Sequence, residues 1–299
     1  MAVEKYGHLI KPLAIGETSP RQVVLNGREH LEGMNLTLSW SVHTATGDMR
    51  VGKDMPSHSY PECLLFVGLD TANATYLGAE IECSLGPEHE TYVFNEPTAI
   101  IIPAGLPHGP FITRRMYSPK GFGLWSVQLG IQRAEDKAAP AGANGRYAHL
   151  VKSLKSGLFI QHGRPRTRVE PGQAGRPGPG NPDHLVWMSG KDLEGLDLSV
   201  FWGFCSSPGI WHRGAGAHVH PSDEVLVYVG MDPGDPGSLG AEIEIDLGAE
   251  HERHLINAPS AVVCPAGVPH LPQVTRWVDR PFGFFAVCLA AEHATKAFD

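Results

Sequence analysis

His218-Val219-His220-Pro221-Ser222-Asp223-Glu224 gathers two histidines and a glutamate in one short stretch, and Pro265-Ala266-Gly267-Val268-Pro269-His270 supplies a third histidine downstream. Three imidazoles and a carboxylate are donors that a divalent cation takes. His218 and His220 are two apart, so on a strand both point to one face, and Glu224 keeps that parity. An unbroken strand lines these three donors along one side, and His270 must reach them from another strand. Nitrogen and oxygen donors in this mix suit Fe(II), Mn(II), Ni(II), Co(II) or Zn(II) and argue against a thiolate site. A His-x-His pair alone is weak evidence; the added Glu224 and the later Pro-x-Gly-x-x-His make it much stronger.

Working outward, the chain repeats itself. Leu77-Gly78-Ala79-Glu80-Ile81-Glu82 returns 162 residues later as Leu239-Gly240-Ala241-Glu242-Ile243-Glu244. The same offset pairs Trp40 with Trp202, Gly68 with Gly230, His108 with His270, Arg114 with Arg276, and Gly121-Phe122 with Gly283-Phe284. The opening Tyr6 to Leu13 returns at Tyr147 to Leu154, an offset of only 141, so the second copy carries 21 extra residues. The Gly/Pro-rich piece 163–183 is the simplest place for them, as a surface loop or lid or as solvent-exposed disorder. Two domains are expected, 1–135 and 146–299, with a linker over 133–145.

Mapped by the offset, the donors of the second copy become His58, Glu62 and His108 in the first, with Pro56 where His218 stands. Two histidines and a carboxylate can still form a facial triad, or the first site is a decayed, empty pocket. On ligand count the second copy is the expected working site.

Each copy reads as all-β. Stretches such as 35–42, 62–67, 79–84, 90–94, 99–102 and 123–129 have strand character and are broken by Gly-Pro, Asn-Glu-Pro and Pro-Ala-Gly turns. The second copy matches, and the only helix expected is short, over 290–296. Glycine and proline are abundant, at 35 and 25, which suits many short strands and turns. The net charge of -8 with no basic block argues against nucleic acid. The five cysteines form no CxxC pair and sit in apolar runs, as reduced core residues of a cytosolic protein do. No apolar run is long enough for a membrane span and the opening lacks a signal-peptide pattern, so a cytoplasmic protein is expected.

The stretch HVHPSDE followed by PAGVPH resembles the two signature motifs of the cupin superfamily, and the repeat makes the whole chain similar to a bicupin. The resemblance implies two double-stranded β-helix (jelly-roll) barrels. It also implies a metal inside the second barrel, held by His218, His220, Glu224 and His270. It suggests an Fe(II) dioxygenase acting on a small organic acid, diketone or phenolic compound. The alternatives are a non-redox isomerase, decarboxylase or lyase using Mn, Zn or Ni, and a non-catalytic small-molecule-binding bicupin. A small-molecule substrate and a homo-oligomer are the expected partners.

By parity with Glu224, Leu226 and Tyr228 point inward. Tyr228 is either a hydrogen-bond donor to substrate or an ordinary lining tyrosine. Arg276 shares the parity of His270 if its strand has no bulge. It then either binds a substrate carboxylate or serves as a charge partner at the barrel mouth.

Overall fold

The structure is a computed structural model that describes residues 4–15, 21–49, 55–130, 145–156, 182–211, 217–232 and 234–298. Its regular elements are nearly all strands. Among the described residues the exceptions are one four-residue helix, Gly27–His30, and two 3-10 turns, Gly7–Leu9 and Ala148–Leu150. No helix among the described residues is long and apolar enough to cross a membrane.

One compact unit comprises Gly16–Leu154 with Leu193–Leu196. Its larger sheet runs, in spatial order, Val151–Ser153, Thr98–Ile102, Glu62–Gly68, Phe122–Leu129, Leu36–His43 and Arg21–Asn26. Its smaller sheet runs Gly47–Asp48, His108–Met116, Ala79–Leu85 and Glu90–Phe94. Phe66 of the first sheet reaches Phe94 and Phe111 of the second, with ring centroids 5.1 and 6.1 Å apart, so the two sheets enclose one core. Glu62–Gly68 is buried along its whole length, as expected of a strand covered on both faces and rich in Leu, Phe and Val.

The other unit comprises Met1–Ile15, Lys155–Asp192 and Asp197–Asp299 and repeats the plan. Its larger sheet runs Ile10–Pro12, Ser260–Cys264, Glu224–Gly230, Phe282–Cys288, Ser199–Cys205, Asp183–Ser189 and Lys155–Ser156. Its smaller sheet runs Glu252–Ile256, Ala241–Leu247, His270–Val278, His218–Val219 and Lys296–Ala297, with Gly209–Trp211 also on His270–Val278. Every strand pairing among the described residues is antiparallel, and each unit is a jelly-roll barrel.

These boundaries differ from the simple division at a linker. Ile10 pairs with Val262, and Val151 pairs with Ile100. Each copy's opening strand therefore occupies the edge of the sheet built by the other copy, where it caps backbone groups that would otherwise stand unpaired. Most of the 163–183 piece and of the 133–145 linker lies outside the described residues.

Two further expectations are corrected. Residues 290–296 are not helical. Their chain bends and ends in the strand Lys296–Ala297, which pairs with His218–Val219, so ladder hydrogen bonds take the place of a helical turn. The repeat also slips by two residues at its last strand. Phe122 pairs with Gly68 and Phe282 with Gly230, so Phe122 corresponds to Phe282, not Phe284. Gly123 and Gly283 confirm the shift, because an added Cβ would lie 1.9 Å from Trp40 and 2.5 Å from Trp202 respectively. The turn before that strand is two residues shorter in the second copy.

The paired glycines Gly68 and Gly230 have a steric cause: a Cβ there would sit 2.0 Å from the Tyr76 carbonyl oxygen and 2.1 Å from that of Ser238. Backbone cannot swing aside as a flexible side chain can. Gly230→Ala is therefore expected to destabilise the protein by about 1–3 kcal/mol, as overpacking does, read as a lowered urea midpoint.

Candidate metal centre

The histidine stretch turns a corner instead of running as one strand. His218 pairs with His270 in the smaller sheet, and Glu224 begins a strand of the larger sheet, opposite Cys264 and Cys288. Pro221 has no backbone N–H for a ladder and sits in the bend between. The donors thus converge from two sheets. The Pro-Ala-Gly turn holds the corner: Gly267 N–H donates to the His220 carbonyl at 2.9 Å, and Ala266 N–H donates to Asp223 Oδ1 at 2.8 Å. Gly267 has a φ of 77°, which favours glycine.

His218, His220, Glu224 and His270 are all buried. His218 Nε2 and His220 Nε2 are 3.1 Å apart. Glu224 Oε2 lies 3.3 Å from His220 Nε2 and 3.2 Å from His270 Nε2. The Nδ1 atoms of His220 and His270 donate to the carbonyl oxygens of Ala294 at 2.7 Å and Val268 at 3.2 Å. A carbonyl only accepts, so each ring carries a proton on Nδ1, and in the neutral ring Nε2 is the atom left to ligate. His270 Nε2 is buried and makes no hydrogen bond among the described residues, although Glu224 Oε2 is close by. An orphaned imidazole nitrogen aimed at two other imidazoles and a carboxylate fits a divalent cation with nitrogen and oxygen preference.

The electrostatics agree. Burial alone would raise the Glu224 pKa, but contacts with His220, His270 and His293 hold it well below the usual carboxylate range. Burial alone would lower that of His220, but its contacts with Glu224 raise it. Cys264 comes within 4.8 Å of Glu224 and His270, yet burial pushes its thiol well above the usual range, so it stays protonated. All five cysteines are buried, and none forms a disulfide.

The first copy brings His58, Glu62 and His108 together in the same way. Glu62 Oε2 is 3.2 Å from His58 Nε2 and 3.7 Å from His108 Nε2. Its other oxygen, Oε1, accepts from Ser126 Oγ at 2.5 Å and from Gln128 Nε2 at 3.4 Å. His58 stacks on Tyr60 at 4.1 Å. Beside this cluster lies a cavity of about 410 Å³ whose wall includes Tyr60, Gln128, Asn35, Thr37 and Arg28.

Of the two residues expected beside the metal, neither is aimed at it. Tyr228 does point between the sheets, but it is buried and its hydroxyl donates to Gln273 Oε1 at 2.6 Å. It stands four residues along the strand from Glu224, about 13 Å at strand rise. Arg276 is exposed and pairs with Glu242 at 3.2 Å and Glu244 at 3.9 Å. Its strand carries the register shifts that the parity argument needed to be absent, and these turn Gln273 and Thr275 inward and Arg276 outward. Arg114 repeats this with Glu82 and Glu80. His254 is buried beside Glu252, away from either cluster's donor set.

One residue of the site escaped the sequence reading. His293, in the segment expected to be helical, places Nε2 3.1 Å from Glu224 Oε1, and its ring lies 4.4 Å from that of His220. No spacing rule ties a histidine 69 residues away to Glu224.

Comparison with known proteins supports the fold. No protein-family model matches the chain, and no curated protein matches it in sequence. Solved structures do match. A two-residue deletion variant of Bacillus subtilis oxalate decarboxylase gives a TM-score of 0.58 at 9% identity, covering 97% of this chain and 79% of that one. Lactobacillus farciminis oxalate decarboxylase in complex with formate gives 0.56 at 11%, covering 96% and 86%. The Bacillus subtilis enzyme studied for its Mn(II) centres gives 0.53 at 11%, covering 95% and 76%. The chain therefore has the bicupin fold, two jelly-roll cupin barrels in one chain.

A cation entering the second cluster competes with the proton that Glu224 holds on His220. Since His220 is raised above 6.5, Mn(II) affinity should be full at alkaline pH and decline as pH falls through that raised value. The decline should approach about tenfold per pH unit for one displaced proton. Calorimetric titrations at several pH values check this; a flat profile would mean that no proton is displaced.

Proposed function

We propose that the chain is a metal-dependent bicupin enzyme that acts on a small organic acid without net redox change, with decarboxylation as its reaction. The buried His270 Nε2 carries this reading: among the described residues it makes no hydrogen bond, and it lies within 4.8 Å of the His218 and His220 donor nitrogens and 3.2 Å from Glu224 Oε2. Fold likeness to oxalate decarboxylases, one of them described by its Mn(II) centres, supports Mn(II) and the non-redox alternative over the Fe(II) dioxygenase expected from the sequence.

His218, His220, Glu224 and His270 would hold the cation. Once bound, it supplies Lewis-acid stabilisation of charge on the substrate's carboxylate oxygens. The surrounding barrel keeps water away: Leu226, Tyr228, Phe284 and Ala286 are all buried beside the cluster's strand. A dry wall strengthens each electrostatic contact made there. Loss of CO2 from R–COO⁻ with uptake of a proton gives R–H. The Tyr228 hydroxyl is already donated to Gln273, so we assign Tyr228 to the wall and not to that proton transfer. We place the chemistry in the second barrel, where four donors meet, and treat the three donors of the first as a weaker site.

The experiment is to load the purified protein with Mn(II) and offer a panel of small mono- and dicarboxylic acids, oxalate first, while following CO2 and O2 together. CO2 release without stoichiometric O2 uptake, abolished by His220→Ala and reduced less by His58→Ala, is the expected result. Stoichiometric O2 uptake on Fe(II) loading would return the assignment to a dioxygenase. A protein that takes up no metal and melts identically with and without Mn(II), Fe(II), Ni(II) or Zn(II) would be a non-catalytic binder.

A further inference from the structure

We propose that the C-terminal segment Glu292–Phe298 is an integral part of the second metal centre, with His293 the residue that orients Glu224. This rests on the reading of the second cluster as a metal site. Glu224 uses its two oxygens differently. Oε2 lies toward His220 and His270, at 3.3 and 3.2 Å, while Oε1 lies 3.1 Å from His293 Nε2. A carboxylate accepts, so His293 donates. Its hydrogen bond turns Oε2 toward the other donors and holds Oε1 away from them.

The two copies give an independent reason. In the first barrel the matching outer oxygen, Glu62 Oε1, is held by Ser126 and Gln128, both on the strand beside Glu62. With the two-residue slip, these positions are Ala286 and Cys288 in the second barrel. Ala286 has no donor, and the Cys288 thiol lies against Ser222 Oγ at 3.2 Å. Neither position places a hydrogen bond on Glu224 as Ser126 and Gln128 do on Glu62, and His293 serves the oxygen instead.

The histidine next to it shows the same replacement. His58 Nδ1 donates to the Tyr60 carbonyl two residues on, whereas His220 Nδ1 donates to the Ala294 carbonyl of the tail at 2.7 Å. One short segment therefore orients two ligands, Glu224 through His293 and His220 through Ala294. The tail is fastened by strand pairing of Val219 with Lys296 and of His218 with Ala297, and by Phe298 N–H to the Ala217 carbonyl at 3.0 Å. His293 also packs edge-on against Phe201, with centroids 5.4 Å apart. Because docking of the tail orients ligands, metal binding and tail docking must favour each other reciprocally.

The test uses the full chain carrying His58→Ala and His108→Ala, so that only the second cluster reads out, with Mn(II) as the probe. His293→Ala should weaken Mn(II) binding by about 10- to 100-fold, the usual cost of removing a ligand's hydrogen-bond partner. It should also shift the Mn(II) resonance fine structure, a readout that a loss of folding stability alone would not move. His293→Gln, which keeps an N–H donor, should recover most of the affinity. In the chain with His293 intact, Mn(II) should slow amide exchange across residues 296–298. Affinity within twofold of the parent, or exchange in the tail indifferent to Mn(II), overturns the inference while leaving the metal site standing. A parent that binds no Mn(II) overturns both. The exchange measurement decides the matter even if His293→Ala does not fold.

Discussion

A buried carboxylate is the constraint around which the second barrel is arranged. Glu224 sits inside the barrel, where an isolated negative charge would be far too costly to keep ionised. It stays ionised because imidazoles surround it: His220 and His270 against one oxygen, His293 against the other. Each feature nearby serves that arrangement. The bend at Pro221 lets one short stretch supply donors from two sheets. The Gly267 turn holds the His220 backbone, and the Val268 and Ala294 carbonyls set which nitrogen of each ring is left for a ligand.

The first barrel meets the same constraint with other residues. Glu62 is buried and flanked by His58 and His108, but its outer oxygen is held by Ser126 and Gln128 from within the sheet. Pro56 stands where the second copy has His218, and its carbonyl instead receives the His108 N–H at 3.1 Å. The scaffold is thus conserved between copies at the level of strand order, turn and carboxylate. What differs is which chain segment completes the hydrogen bonds. Those differences separate a four-donor cluster from a three-donor one next to a cavity with a mixed polar and apolar wall.

A shared fold does not assign a reaction. Jelly-roll barrels offer a rigid wall of strands and a dry interior, and the chemistry comes from what projects inward. Here the inward set contains imidazole and carboxylate with no ionised thiolate, and the arginines that would otherwise suit a carboxylate are turned out to pair with surface glutamates. Under the proposed function, a cation in the cluster would be the positive partner for an acidic substrate.

The sequence by itself determined the duplication, the all-β character and the candidate donors His218, His220, Glu224 and His270, because each is written in local spacing. A repeat offset, an apolar run between turns and a His-x-His followed by a same-parity acid need no knowledge of what lies across the barrel. Tertiary structure alone decided the rest. The exchange of opening strands depends on which sheet edge is free. The outward turn of Arg276 depends on register shifts against a partner strand, which a parity count cannot see. His293 entered the site because the tail found ladder partners at His218 and Val219 and so gave up its helical leaning. Contacts across 69 residues are set by where strands pair, and no periodicity in the chain encodes them.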